Sequence, residues 1–168
     1  ILDANTLEVS DVLKSGSFIR PHGIALRPDF SEAFVGSNQG SYFRRIELDP
    51  NTGTFVDGFP EEYSLGNEDN INPYQLLLSE DGNTLYATCD GGNQGDLSRV
   101  VVYDVSGDTP TMLQTINSAA PTAQCPQGPG ASPRLMRIWD NKLFVVSVGT
   151  NCQVESRKEG AVIVFDIA

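Results

Sequence analysis

A chain of 168 residues, 39% hydrophobic and 20% charged, carries enough apolar material for one ordinary domain with a core and is too apolar to be disordered. Its formal net charge is -11, and its longest basic runs are the pairs Arg44-Arg45 and Arg157-Lys158, which excludes the clustered Lys and Arg of a nucleic-acid footprint. No apolar run approaches the roughly 20 residues of a membrane-spanning helix, so neither nucleic acid nor a membrane span is expected.

The first nineteen residues hold a short apolar strand at Ile1-Leu2-Asp3-Ala4, a polar turn at Asn5-Thr6 and an alternating segment from Leu7 to Leu13. Alternation of apolar and polar residues is the period of a strand with one wetter face. From Pro21 the pattern becomes a unit. Strands are expected near Gly23–Leu26 and Ala33–Gly36 around the turn Arg27–Ser31, then at Tyr42–Leu48. The run Asp49-Pro50-Asn51-Thr52-Gly53 is a strong turn signal. Thr54–Val56 reads as the start of a fourth strand, and Pro60–Asn72 as a polar, acidic connection.

A second unit repeats the layout with Gln75–Leu78, Thr84–Thr88, Arg99–Val105 and Thr111–Ile116, and with the Gly-rich loop Asp90–Asp96 between its second and third strands. A third gives Leu135–Ile138, Leu143–Val148 and Ala161–Ile167. No segment of ten or more residues has capped helical periodicity. The anchors Pro21, Pro73 and Pro133 recur at intervals of about 50 to 60 residues, and four short strands per repeat is the pattern of a propeller blade stretched by loops. A β-sandwich also gives many short strands, but it has no reason to repeat Pro-x-x-apolar-x-x-(Asp/Asn)-strand three times. The expectation is an all-β β-propeller segment of about three four-stranded blades, part of a ring of roughly six to eight. Its divisions are 1–14, the end of one blade; 18–60 and 71–117, two blades; and 131–168, a blade lacking its last strand.

Pro21-His22-Gly23-Ile24-Ala25-Leu26-Arg27-Pro28-Asp29, with Ala33-Phe34-Val35-Gly36-Ser37-Asn38 and Leu48-Asp49-Pro50-Asn51-Thr52-Gly53, resembles the YVTN-type repeat of surface-associated propellers and relatives of the lactonase-like propeller family. The resemblance implies a propeller more firmly than an activity, because that fold hosts many functions. Trp139-Asp140 sits in a first turn and is not a WD-repeat signature. Ile1–Ala4 matches Val102–Val105 and Val164–Ile167, all third strands, so the sequence opens and closes inside one. Three blades do not close a ring, so the partners expected are the remaining blades of the same propeller, in this chain or another, and a protein or small-molecule ligand.

His22 is the only histidine. The first strand of a blade lines the central channel, so the residues after the anchor prolines, His22, Tyr74 and Arg134, are expected near one channel mouth. They are either a polar ring that binds a ligand, anion or metal, or blade-end caps that bond loop carbonyls. In some relatives several channel histidines hold a metal or cofactor; Tyr74 and Arg134 stand where such histidines would.

Of the three cysteines, Cys125 and Cys152 flank two neighbouring strands of the third unit at one end, a natural place for a disulfide, with Cys89–Cys125 as the alternative. A disulfide implies an oxidising compartment, extracellular or periplasmic. Three cysteines and His22 make a zinc-ligand count without any C-x-x-C pair. Asp90, Asn93 and Asp96 offer oxygens to calcium, although solvated turns explain them equally well and no other cofactor is indicated. No nucleophile elbow or phosphate-cradling loop occurs, and the catalytic residues, if any, are unknown. The expected function is a non-catalytic binding module, with part of a lactonase-like hydrolase or of a metal- or redox-cofactor propeller as the alternative.

Overall fold

The computed structural model describes residues 20–38, 40–56, 61–66, 71–90, 98–118, 132–148 and 160–167. Within them the chain forms strands and turns and no helix. The first sheet consists of β1 (Pro21–Leu26), β2 (Glu32–Ser37), β3 (Tyr42–Glu47) and β4 (Glu61–Ser64), paired antiparallel in chain order. The second repeats this with β5 (Asn72–Leu78), β6 (Thr84–Asp90), β7 (Arg99–Asp104) and β8 (Thr111–Asn117). The third has β9 (Pro133–Trp139), β10 (Lys142–Val148) and β11 (Gly160–Asp166). The first strands β1, β5 and β9 are spatial neighbours, each against the next.

Local chemistry explains the hairpins. Trp139 pairs with Lys142, leaving Asp140 and Asn141 as a two-residue turn with φ of 50° and 54°. Asp and Asn tolerate this left-handed backbone, which tight hairpins need to match strand twist. Each first strand begins at or next to its proline, earlier than the sequence suggests, because a proline is admissible where a strand opens.

One strand lies elsewhere than expected. Thr54–Val56 contributes only a bridge, Phe55 to Leu48, and the fourth strand is Glu61–Ser64, so the first sheet runs past residue 60 into the segment read as an acidic connection. The reason is across the sheet. Glu62 and Glu61 stand opposite Arg44 and Arg45, and the Glu62 carboxylate accepts from the Arg44 guanidinium. Tyr63 stacks on Phe43 with ring centroids 5.4 Å apart. Cross-strand pairing of opposite charges and aromatic rings makes a strand of residues that look like a loop on their own.

The core lies between sheets. Ala25, Phe34, Phe43 and Leu65 of the first blade meet Leu76, Leu85, Ala87, Val101 and Tyr103 of the second. Tyr86, Val100 and Val102 of the second meet Met136, Leu143 and Val145 of the third. Cys89, a candidate for pairing with Cys125, is instead a free, fully buried thiol in the first of these clusters, and burial pushes its pKa up to about 12. Alternation on β6 turns it inward, into apolar packing, where a thiol behaves as a small hydrophobe. Cys125 and Cys152 lie outside the described residues.

The far face of the third sheet is open. Leu135, Trp139, Val146, Val148, Val162 and Val164 are exposed there, Trp139 at 69% and Val162 at 64%. Their counterparts in the second sheet, Tyr86, Val100 and Val102, are covered by the third.

Candidate functional site

All three first strands carry a β-bulge near the anchor proline, at the residue after it in β5 and β9 and one residue later, at Gly23, in β1. Register shifts between His22 and Ile24, between Pro73 and Gln75, and at the step where Ser147 faces Pro133 but Val146 faces Leu135. A bulge puts two residues opposite one and re-aims a side chain out of the strand's alternation. The residues displaced in this way are Tyr74 and Arg134, whereas in β1 the bulged residue is Gly23 and His22 stays in register opposite Gly36. Gly23 completes the bulge of β1: its φ is +69°, and a Cβ there would stand 2.8 Å from the Tyr74 carbonyl oxygen. Only glycine lets β1 approach β5 this closely.

The three residues picked out by the recurring proline meet on one tyrosine. The His22 and Tyr74 rings are 5.2 Å apart at 78°, an edge-to-face contact. The Arg134 Cζ lies 3.5 Å from the Tyr74 ring centroid, a close cation–π contact. His22 is exposed, and Tyr74 and Arg134 are half-buried. The contact spans three blades in succession.

Behind Arg134 lies a buried polar chain that sequence reasoning missed. The Arg134 Nη2 donates to Asp90 Oδ2 at 2.9 Å, and the Ser132 hydroxyl donates to Asp90 Oδ1 at 3.2 Å. The Ser98 hydroxyl accepts from the Ser132 backbone N–H at 3.1 Å, and the Ser98 carbonyl accepts from the Ser118 hydroxyl at 3.1 Å. Thr88, wholly buried, accepts from the Gln75 N–H at 3.0 Å beside the bulge of β5. Asp90 was named above as a calcium candidate. Its two oxygens face Arg134 and Ser132, while Asn93 and Asp96 lie outside the described residues. Among the described residues no three His, Cys, Asp or Glu side chains gather as a metal would need. The signal available in the sequence was the opposite charge of Asp90, at the end of β6 beside Cys89, the partner of Pro73, but its partner is 44 residues away.

No protein-family model matches the sequence, and no curated protein matches it significantly. Solved structures do. A Lactobacillus plantarum protein aligns with a TM-score of 0.66 at 18% identity, over 92% of this chain and 44% of that one. Kuenenia stuttgartiensis hydrazine synthase aligns with a TM-score of 0.67 at 18% identity, over 99% and 39%. A putative 6-phosphogluconolactonase from Bacteroides fragilis gives 0.60 at 15%, over 88% and 37%. With three antiparallel meanders whose first strands adjoin, these alignments decide the architecture. The chain has the β-propeller fold. It spans about two fifths of the length of the solved chains it matches, 44%, 39% and 37%, as a set of consecutive propeller blades would. Likeness at this level of identity carries the fold and leaves function to the residues.

Proposed function

We propose that the chain is part of a propeller that binds a small-molecule ligand where its first strands begin, without catalysing a reaction on it. The observation that carries this reading is the convergence of His22, Tyr74 and Arg134, the residues after the three anchor prolines, with Tyr74 touching both of the others. Bulges re-aim side chains, and those of β5 and β9 bring Tyr74 and Arg134 together as a preformed polar cluster at partly exposed surface, with His22 on the same ring. The wholly buried Thr88 and the pair Asp90–Arg134 hold it rigid. Further blades of the same propeller cover the open apolar face of the third sheet, since the equivalent face of the second is covered by the next blade. A disulfide between Cys125 and Cys152, the pairing expected above, would support an extracellular or periplasmic setting.

The test is a thermal-shift screen of small polar metabolites against the wild-type chain and Tyr74→Leu. Compounds that raise the melting temperature of the first and leave the second unmoved support the site. A screen in which every stabilising compound acts equally on both removes it.

A second reading is hydrolysis of a sugar lactone, favoured by the name of the Bacteroides fragilis neighbour, a putative 6-phosphogluconolactonase. It requires turnover of a gluconolactone that His22→Ala abolishes. Turnover unaffected by that substitution, or none at all, leaves the binding reading.

A further inference from the structure

We infer that the ligand taken at this site carries a carboxylate, received by Arg134 where it lies on Tyr74, and that Asp90 is the positioning residue that sets the guanidinium for it. The inference rests on the binding reading above and adds the ligand's chemical class.

A free arginine side chain rotates about several bonds and presents its nitrogens in no fixed direction. Here two contacts of different kinds fix the plane. The Tyr74 ring holds the Cζ at 3.5 Å, and Asp90 Oδ2 holds Nη2 at 2.9 Å. Asp90 is itself fixed by the Ser132 hydroxyl, and its side chain is only 8% exposed. A guanidinium has five N–H donors in a rigid fork, and the bond to Asp90 takes one of them. One two-pronged edge therefore remains on a side chain that is 29% exposed. Such an edge matches the two oxygens of a carboxylate in plane.

Charge decides between a carboxylate and a more highly charged anion. Asp90 already balances Arg134, so a dianion would meet the field of the Asp90 carboxylate with one guanidinium to offset it. A monoanion needs only that one guanidinium. The Tyr74 face that would stack on the apolar face of a sugar is covered by Arg134, which turns the tyrosine into a support for the cation. His22, edge to face with the same ring, adds no negative charge and reports on that ring from the β1 side.

The single histidine makes the test direct, because the chain gives one imidazole Cε1–H and one Cδ2–H proton resonance. Gluconate and the neutral polyol glucitol differ only in the carboxylate and are titrated separately at constant ionic strength set with chloride. Gluconate is expected to move the His22 resonances saturably, and glucitol and chloride to leave them still. Arg134→Lys keeps the charge without the fork, and Asp90→Asn frees the guanidinium. Each is expected to weaken gluconate by at least about tenfold, with Asp90→Glu restoring part of the loss. A variant counts once its amide spectrum shows the native dispersion of shifts. Saturable movement with gluconate that survives Arg134→Lys and Asp90→Asn unchanged overturns the inference. Saturation by glucitol and gluconate alike overturns it too, while leaving the binding reading in place. Silence from gluconate overturns the inference, and the thermal-shift screen above decides the binding reading separately.

Discussion

The two interfaces between successive blades are built differently, although the blades are copies of one plan. Between the first and second blades the packing is aromatic and the rim is ionic. Phe43 touches Phe34, Tyr63 and Tyr103, with centroids 6.2, 5.4 and 5.0 Å away. Around it Glu32, buried, receives both Arg27, at 2.5 Å, and Arg45, at 2.8 Å. The same arginines donate to main-chain oxygens of the second blade: Arg27 to Gly82 at 2.9 Å and to Val105, Arg45 to Gly107 at 2.9 Å and Asp108 at 2.5 Å. Between the second and third blades the packing is mostly aliphatic, with Tyr86 and Phe165 as its aromatic members and, among the described residues, no stack of rings like that around Phe43. Asp90, Ser132 and Arg134 meet at one end. The first interface reads as a lock, and the second carries the site. One fold can therefore place its ionic groups for attachment at one junction and for recognition at the next.

The largest test of this difference is in the aromatic core. Phe43→Ala is expected to cost about 3 to 5 kcal/mol, the range for truncating a buried phenylalanine, measured by urea denaturation. A cost under about 1 kcal/mol would mean that Phe43 does not hold the first junction. Glu32→Gln should cost about 3 kcal/mol, because it leaves two partly buried guanidiniums without their carboxylate. If Glu32→Gln unfolds no more readily than the parent, the lock contributes nothing and the interfaces differ only in shape.

Phe30 offers a smaller test inside the first blade. It occupies a left-handed turn position at φ 59°, where the second blade has Gly82 at φ 75°. A side chain there costs roughly 1 to 2 kcal/mol, of which glycine's greater chain entropy takes back part. Phe30→Gly is therefore expected to stabilise by up to about 1 kcal/mol, and a fall in the denaturation midpoint would refute the strain.

The smallest effect is spread over both full blades. Asp29, Asp49, Asp81 and Asp104 are held below the usual 3.8 by local hydrogen bonds, chiefly from the Ser31 hydroxyl, the Asn51 backbone N–H, the Ser79 hydroxyl and the Ser106 hydroxyl. A depressed folded value means that the unfolded chain takes up protons first on acidification. Their contribution is complete above the unfolded value of 3.8 and is lost as pH falls through the lower folded values. The denaturation midpoint should decline below about pH 4, and Asp81→Asn should make the decline shallower. The same slope in the variant would assign the loss to other groups.

Much of this was legible before any coordinates. The recurring proline, the spacing of turns and the lack of helical periodicity gave the blades, and the step after each proline gave His22, Tyr74 and Arg134. Glu61–Ser64 was not legible, because an acidic run becomes a strand only when Arg44 and Arg45 lie across from it. The pairing of Asp90 with Arg134 was not legible for the same reason. The role of Asp90 depends on Arg134 in the next blade, and a sequence does not show which distant charge a loop end will meet.

The bulges matter only if they bring Tyr74 and Arg134 into energetic contact, and a double-mutant cycle measures that contact alone. Stabilities of the parent chain, Tyr74→Leu, Arg134→Met and the double variant should give a coupling of about 0.5 to 2 kcal/mol, as expected of a partly desolvated cation–π pair. Stability changes that add to within about 0.3 kcal/mol would mean that the two side chains do not interact, and that the bulges do not build a site.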